Sequence, residues 1–494
     1  MIAIAGLIGH VAMAQSPPDI VRDAGPGPSG RYLAMVLAKP TTRVLTADTV
    51  AIPRDSAFRG DVVILAKRVT MSGRADGDVI VVGGDLFIKP AARITGRAIA
   101  IGGGVYASAL ASVQGGKTSE PDFTFDATPV NGAVELQYRE LTVASSGPSV
   151  LLPGIFGLRL PTYDRSNGLS LPVGLHIGAF NSRSSIEPFA TYRSQIGQLD
   201  PSVDANLYIG RKFFVHGFAG RETRTNDSWI TSDFSNSLNA LFIGRDTRNW
   251  YRDNRDLLTV NRVFETPAMT STYRLGGQFE RASSARPGDP LPTSGPWSFF
   301  GKHSNEGMLR PNPQIAGGDI TSLIGGANYL FNATDVTSAL DLGVEVPTST
   351  ASGRHFVQLT LDGQVNFPTF VSQRFRFDAH AVVTRGDTAP GQRFAYLGGA
   401  GTLGTVEPLL SLGGDELLFI ESRYIIPVSQ ISLPLVGSPT VTLRHILGTA
   451  AIQHLPALTQ IVGVRLSVLL LRADVLMDTK TRKVEVHTGL SLVR

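Results

Sequence analysis

The chain contains no cysteine. That excludes disulfides and thiolate metal sites, and it leaves the compartment unreadable from redox chemistry. No apolar run approaches the ~20 residues that a membrane-spanning helix requires. Charged residues make up only 17% of the 494, and the formal net charge is +4. Eight lysines stand against 37 arginines, yet no basic run of the kind that binds nucleic acid occurs. The nine histidines show no H-E-x-x-H or other paired-ligand spacing, and there is no G-x-S-x-G elbow. Metal, hydrolase and nucleic-acid functions have no motif to rest on, and no cofactor is expected.

Glycine is abundant, at 53 residues, and mean hydropathy is slightly positive. A chain this apolar is not disordered. Its length leaves room for two or three domains, or for one large barrel with an appendage.

The dominant pattern is two-residue alternation. In the strand that starts at Arg374, the side chains of Arg374, Arg376, Asp378 and His380 share one face, and Phe375, Phe377, Ala379 and Ala381 share the other. Leu340, Leu342, Val344 and Val346 oppose Asp341 and Glu345, and Val357, Leu359 and Leu361 oppose Gln358, Thr360 and Asp362. Such segments run about 9–13 residues, which suits a tilted span across hydrocarbon. Some links between them are short, whereas 222–237, 245–255 and 281–318 are long and polar, as the outer loops of membrane barrels are. Trp229, Trp250, Tyr251, Trp297, Phe299 and Phe300 are expected near strand ends as girdle aromatics. A large soluble sandwich or barrel is the competing reading.

In chain order, residues 1–14 read as a signal peptide with Ala12-Met-Ala14 as a cleavage site, although no positive n-region precedes the apolar core. Residues 15–44 read as a linker. Over 45–116, Gly77, Gly96 and Gly115 recur at a spacing of 19, and Val-Ile-Val-Val-Gly-Gly (79–84) superposes on Ala-Ile-Ala-Ile-Gly-Gly (98–103). Short apolar strands punctuated by glycine at a fixed period predict a β-solenoid, in which each coil buries its face on the next. The stretch resembles the short β-helices of bactofilin-type polymer-forming proteins; a plain β-meander is the alternative. Residues 117–134 read as a polar linker, and 135–494 as the barrel.

Two motifs carry a wider resemblance. Pro161-Thr-Tyr-Asp-Arg-Ser-Asn-Gly-Leu-Ser-Leu171 resembles the Tyr-Asn-Arg-Val-x-Gly-Leu opening of the first strand in surface-antigen barrels of the BamA/TamA superfamily. Residues 393–405, with Leu397-Gly398-Gly399-Ala-Gly401-Thr-Leu403-Gly404 at their centre, and then 413–427, resemble that superfamily's Leu-Gly-Gly-x-x-x-Leu-Arg-Gly-aromatic loop and the strand after it. The resemblance implies a 16-stranded outer-membrane barrel whose loop folds into the lumen.

Three departures stand out. Gly404 occupies the place of the loop arginine, which in the family pins the loop through an acidic wall partner, with Thr405 and Val406 beside it. No βααββ pattern of periplasmic POTRA domains precedes the barrel. The chain carries no terminal aromatic after Leu490. The first departure sets insertase or secretion activity in doubt.

Gly399-Ala-Gly401-Thr-Leu-Gly404 also spells G-x-G-x-x-G. A dinucleotide site would need a crossover helix in 405–412, which is too short and contains Pro408.

The expectation is therefore an all-β chain: a short β-solenoid followed by a transmembrane antiparallel β-barrel of about 16 strands. Leu397, Gly398, Gly399, Gly401, Leu403 and Gly404 are the expected lumen loop. Arg374, Arg376, Asp378, His380, Glu421 and Arg423 are the expected lumen wall. The implied function is non-enzymatic: protein or lipid assembly or translocation at the bacterial outer membrane, or a gated channel. Membrane lipid is the expected partner, with other envelope proteins reached through a periplasmic solenoid. The alternative is a structural envelope protein whose solenoid self-associates, with the barrel as its anchor.

Overall fold

The computed structural model describes the chain apart from residues 1–19, 26–27, 91, 109–110, 121–122, 131–132, 142–148, 153–156, 179–183, 211, 267–268, 286–296, 301–306, 316, 333–335, 371–372, 429–437, 470 and 491–494. The segment read as a signal peptide lies outside the described residues. The chain divides into two compact units, one up to about Ser145 and one beyond it.

The first unit is a parallel β-solenoid. Arg43–Thr46, Val62–Leu65, Val79–Val82, Ala98–Ile101 and Lys117–Glu120 stack in register as one sheet, and two four-stranded parallel sheets form its other sides. Val79 sits over Ala98 and Ala98 over Lys117, so the 19-residue period is the length of one coil. The spacing of the glycines follows from the stacking. A Cβ on Gly96 would lie 2.5 Å from the carbonyl carbon of Gly77, and one on Gly115 2.5 Å from that of Gly96. Each Gly-Asp corner adds a rung: Asp61 accepts the Asp78 N–H at 2.8 Å, and Asp78 accepts the Arg97 N–H at 2.7 Å. Burial pushes the Asp78 carboxyl up, against the hydrogen bond donated by Tyr32.

The strands Val62–Leu65, Val79–Val82 and Ala98–Ile101 are buried on both faces, which is why they read as continuous apolar runs rather than alternating ones. Val62, Ile64, Val79, Val81, Ala98 and Ala100 face the coil interior. Val63, Leu65, Ile80, Val82, Ile99 and Ile101 face outward onto a second core. That core is closed by the helix Pro28–Leu37, through Tyr32, Leu33 and Val36, and by the hairpin Phe123–Val130/Ala133–Glu140, through Phe123, Phe125 and Leu136.

Two linkers are corrected here. Residues 15–44 contain the covering helix, and 117–134 contain the last coil strand and half of the hairpin, which runs on into 135–140. Pro/Gly-rich and charged neighbours hid their apolar positions, and only the uncovered sheet face calls for them.

Among the described residues the second unit is one large antiparallel sheet of 18 hydrogen-bonded segments. Ser149–Leu151 and Thr162–Asp164 lie end to end along Gly168–Gly174 and His176–Gly178, which are themselves two pieces of one run. The segments therefore occupy 16 strand positions, from Ser149 to Leu490.

Alternation sorts the faces. Leu359 is opposite Val383 and Phe367 opposite Phe375 on the outer face, where Leu359 is 50% exposed. Among the described residues no second layer of this chain covers it. The inward face carries buried polar residues, among them Gln358, His380, Glu421, Arg444 and Asp474. A soluble sandwich would place these two sets the other way round, so the soluble reading fails on this inversion.

Candidate functional site

The inward face carries an alternating chain of charge. Arg376 pairs with Asp378 at 2.8 Å, Asp378 with Arg423, Arg444 with Glu421 at 2.6 Å and Asp474 at 2.8 Å, and Arg465 with Asp474 at 2.6 Å. The register explains the order: Asp378 lies opposite Glu421, Arg423 opposite Arg444, and Arg465 opposite Asp474. Four of the expected wall residues therefore fall in one network across five strands. Arg374 stands on the same face at the start of its strand. His380 leaves the network: its Nδ1 lies 2.6 Å from Asp362, and its ring stacks on Trp229 at 4.2 Å. Sequence reading missed Arg444, Arg465 and Asp474, although Arg465 and Asp474 alternate with apolar neighbours in the same way.

Two loops from the long-loop end, 387–415 and 225–250, fold onto this face. In 387–415, Ala395–Leu397 pairs with Leu412–Gly414 as a two-stranded ribbon. Leu397 and Leu403 are fully buried among Leu417, Phe419, Ile446 and Leu476. Gly398, Gly399 and Gly401 take φ of +123°, +71° and +108°, which lets the tip fold back on itself. A Cβ on Gly404 would meet Leu476 at 2.3 Å, and its carbonyl accepts from His487 Nε2 at 2.8 Å. Any larger side chain there would have to displace Leu476.

The anchor comes from the other end of the loop. Arg393 donates to Glu345 at 2.6 and 2.9 Å and to Glu280 at 2.9 Å. Glu345 also accepts from Gln278 and from Ser322. Bidentate guanidinium–carboxylate pairing is among the stronger and more directional polar contacts. Arg393 thus ties the start of the 387–415 loop to acidic residues on two wall strands, Met269–Ser284 and Thr337–Thr350.

The 225–250 loop lies against the first. Asn226 donates to the carbonyls of Gln392 and Phe394 at 2.8 and 2.9 Å. Trp229 packs on His380 and Phe419. Trp250 and Tyr251 are buried, and the Trp250 indole N–H donates to Asp246 at 2.8 Å. These three aromatics are therefore plug residues and not girdle residues: the loop that carries them turns inward. Trp297, Phe299 and Phe300 remain exposed.

The Asp164-Arg165-Ser-Asn167-Gly168 motif is the tight turn between the first two strand positions. Asp164 accepts the N–H groups of Ser166 and Asn167 at 2.8 Å. Arg165, fully buried, lies 3.7 Å from Asp246. Between the loops a cavity of only about 10 Å³ remains, bordered by Asn226, Asp227, Trp250 and Tyr396. That is room for about one water.

Asp227 is a titratable member of this plug. It is fully buried and accepts the Asn249 N–H at 2.7 Å, while its second oxygen has no hydrogen-bond partner. Burial pushes its carboxyl up to about 7, against the pull of Arg310, Arg248 and Arg165. The packed loop thus holds the proton that the released loop gives up. Packing is strongest below the ordinary carboxylate range, about 4, and weakens as pH rises through about 7. Hydrogen exchange over 225–250 should show that loss of protection in the native protein, after correction for intrinsic rates. Asp227→Asn should flatten it; an unchanged slope would assign the effect elsewhere.

A short inserted segment meets both ends of the sheet. Ser237 Oγ, in the helix Asp233–Leu238, accepts the Tyr163 N–H of the first strand position at 3.0 Å. Asn239 donates to the Leu490 carbonyl at 2.7 Å and accepts the Leu490 N–H at 2.9 Å. Arg245 donates to the Thr488 carbonyl at 2.9 Å. These backbone groups are ones the strands do not use for their own ladders. Among the described residues no ladder joins the first strand to the last. Side chains of Ser237, Asn239 and Arg245 instead bond backbone groups of Tyr163, Thr488 and Leu490 on the two edges, a polar seam.

No family model matches the chain, and no curated protein matches it by sequence. Among solved structures, it is similar to CdiB from Acinetobacter baumannii, with 10% identity over 74% of this chain and 64% of that one, at a TM-score of 0.40. Similar too are CdiB from Escherichia coli (11%, 74% and 66%, TM-score 0.40) and BamA from Haemophilus ducreyi lacking POTRA domains 1–3 (11%, 74% and 75%, TM-score 0.43). In fold, the chain resembles CdiB and BamA. It spans a little under two thirds of the two CdiB chains.

Proposed function

We propose that this chain is a non-enzymatic outer-membrane barrel that assembles or translocates proteins at the bacterial envelope, with its periplasmic solenoid as the docking module. The observation that carries this reading is the seam. A barrel built only as a pore or an anchor gains by pairing its two edges, since every backbone group in lipid needs a partner. Among the described residues the edges meet through the side chains of Ser237, Asn239 and Arg245 and through no ladder, and such contacts can be exchanged for another strand. The 387–415 and 225–250 loops keep the interior closed meanwhile.

Full-length protein carrying a photo-crosslinking residue at Tyr163 or at Leu490 tests this in cells. An assembly or translocation role predicts capture of other envelope proteins at both positions, and of none at Leu359 on the outer wall. Capture should increase when Asn239→Ala and Arg245→Ala loosen the seam. Ion conductance in planar bilayers with no capture at the seam would favour a gated channel and sink the assembly reading.

A further inference from the structure

We infer a second binding site, on the outer wall, for a phosphorylated, multiply acylated sugar lipid. The inference rests on the membrane reading above. Residues of Gln198–Ile209, Phe213–Arg224, Tyr251–Glu265, Met269–Ser284 and Gly318–Asn332, with Thr348, most of them outward, line an open groove of about 620 Å³. Ala205, Gly217 and Ala219 form its floor, and Leu258, Phe279 and Leu323 its walls. The register produces it: Val203 lies beside Ala219 and Ala205 beside Gly217, so small side chains meet across neighbouring strands. Gly217 then faces Leu258, which is 60% exposed. The volume is that of a ligand cleft, roughly 300–1,000 Å³, and its lining suits acyl chains.

The polar groups lie at the long-loop end of the same strands. Asp256 lines the groove beside Ala219. Two residues further along, Arg221 stands opposite Asn254 and donates to it at 3.0 Å. Arg281, on the next strand but one, pairs with Asp319 at 2.6 and 2.7 Å. Two positions along a strand is about 7 Å, the offset between an acyl chain's start and a headgroup. Outward charge is costly against lipid tails and tolerated near the interface, so this row marks the headgroup level. Its members are complementary to one headgroup chemistry. The guanidinium groups of Arg221 and Arg281 suit phosphate, and the Asp256 carboxylate accepts from sugar hydroxyl or amide donors. A diacyl phosphate lipid without a sugar leaves Asp256 facing an anion.

Native mass spectrometry of the full chain in neutral detergent tests this, with bis-phosphorylated lipid A, its dephosphorylated form and phosphatidylglycerol as probes. Lipid A should be retained at about tenfold lower concentration than either comparator. Gly217→Leu fills the floor; an added Cβ there meets nothing nearer than Leu258 at 3.8 Å, so the fold tolerates it. It should abolish that preference. Arg221→Gln with Arg281→Gln should equalise the phosphorylated and dephosphorylated forms. Equal retention of all three lipids, insensitive to Gly217→Leu, means ordinary annular lipid and overturns the site. A dimer mass lost on Gly217→Leu means a second copy occupies the groove, and overturns it equally. Heat-modifiable gel migration separates the two failures: if it is absent, the membrane reading falls, and if present without selectivity, only the lipid site does.

Discussion

Arg393→Ala should release the 387–415 loop from the barrel wall at a cost of about 3–5 kcal/mol, the range for removing one partner of a buried ion pair. The size comes from what is left behind. Glu280 is completely buried and Glu345 largely so. Glu280 keeps one contact, to Arg224 at 3.2 Å, and Glu345 keeps only the neutral donors Gln278 and Ser322. Arg393→Lys should recover only part of the loss, because a single ammonium cannot reproduce the fork that spans two carboxylates. The readout is single-channel conductance together with protease cutting within 397–413. Both should rise sharply in the alanine variant and moderately in the lysine variant. A closed, protease-resistant loop in Arg393→Ala would show that the apolar packing of Leu397 and Leu403 suffices, and the anchor assignment would be lost.

Gly96→Ala should break the solenoid between its coils. The new methyl would sit 2.2 Å from Asp78 Oδ1, 2.5 Å from the Gly77 carbonyl carbon and 2.6 Å from the Asp78 nitrogen. Two of these are backbone atoms, and the third accepts the Arg97 N–H while the Tyr32 hydroxyl holds the other oxygen of the same carboxylate, so the carboxylate is not free to yield. Overpacking typically costs roughly 1–3 kcal/mol, and a clash with backbone belongs at or above its upper end. Solenoid stability is a sum of contacts between adjacent coils. The loss should therefore uncouple Ala98–Ile101 from Val79–Val82, visible as a drop in hydrogen-exchange protection across both strands. Gly317→Ala, where an added methyl meets nothing within 4 Å, should leave protection unchanged. Intact protection in Gly96→Ala would mean that the 19-residue glycine period has some cause other than close stacking.

The legible parts of this protein were its periodic ones. The alternation at Arg374–Ala381 placed Arg376, Asp378 and His380 inward, and Gly77, Gly96 and Gly115 measured the coil. The Gly-rich run at 397–404 marked a loop because its glycines are needed where the chain turns with positive φ. Less visible were the covers and the anchors. The helix at Pro28–Leu37 looks like linker because half of its character is set by the sheet it hides. Trp229 and Trp250 suggest a membrane girdle until the loop carrying them turns inward.

Period two and period nineteen are local properties of the backbone, so the order of residues alone determined that this chain makes strands, coils and an inside-out wall. Which charges meet was decided only by the tertiary structure. Arg393 reaches Glu280 and Glu345 across 113 and 48 residues, and Asn239 reaches Leu490 across 251. Such contacts depend on strand register and on how loops return through the barrel, and neither leaves a periodic trace in the sequence.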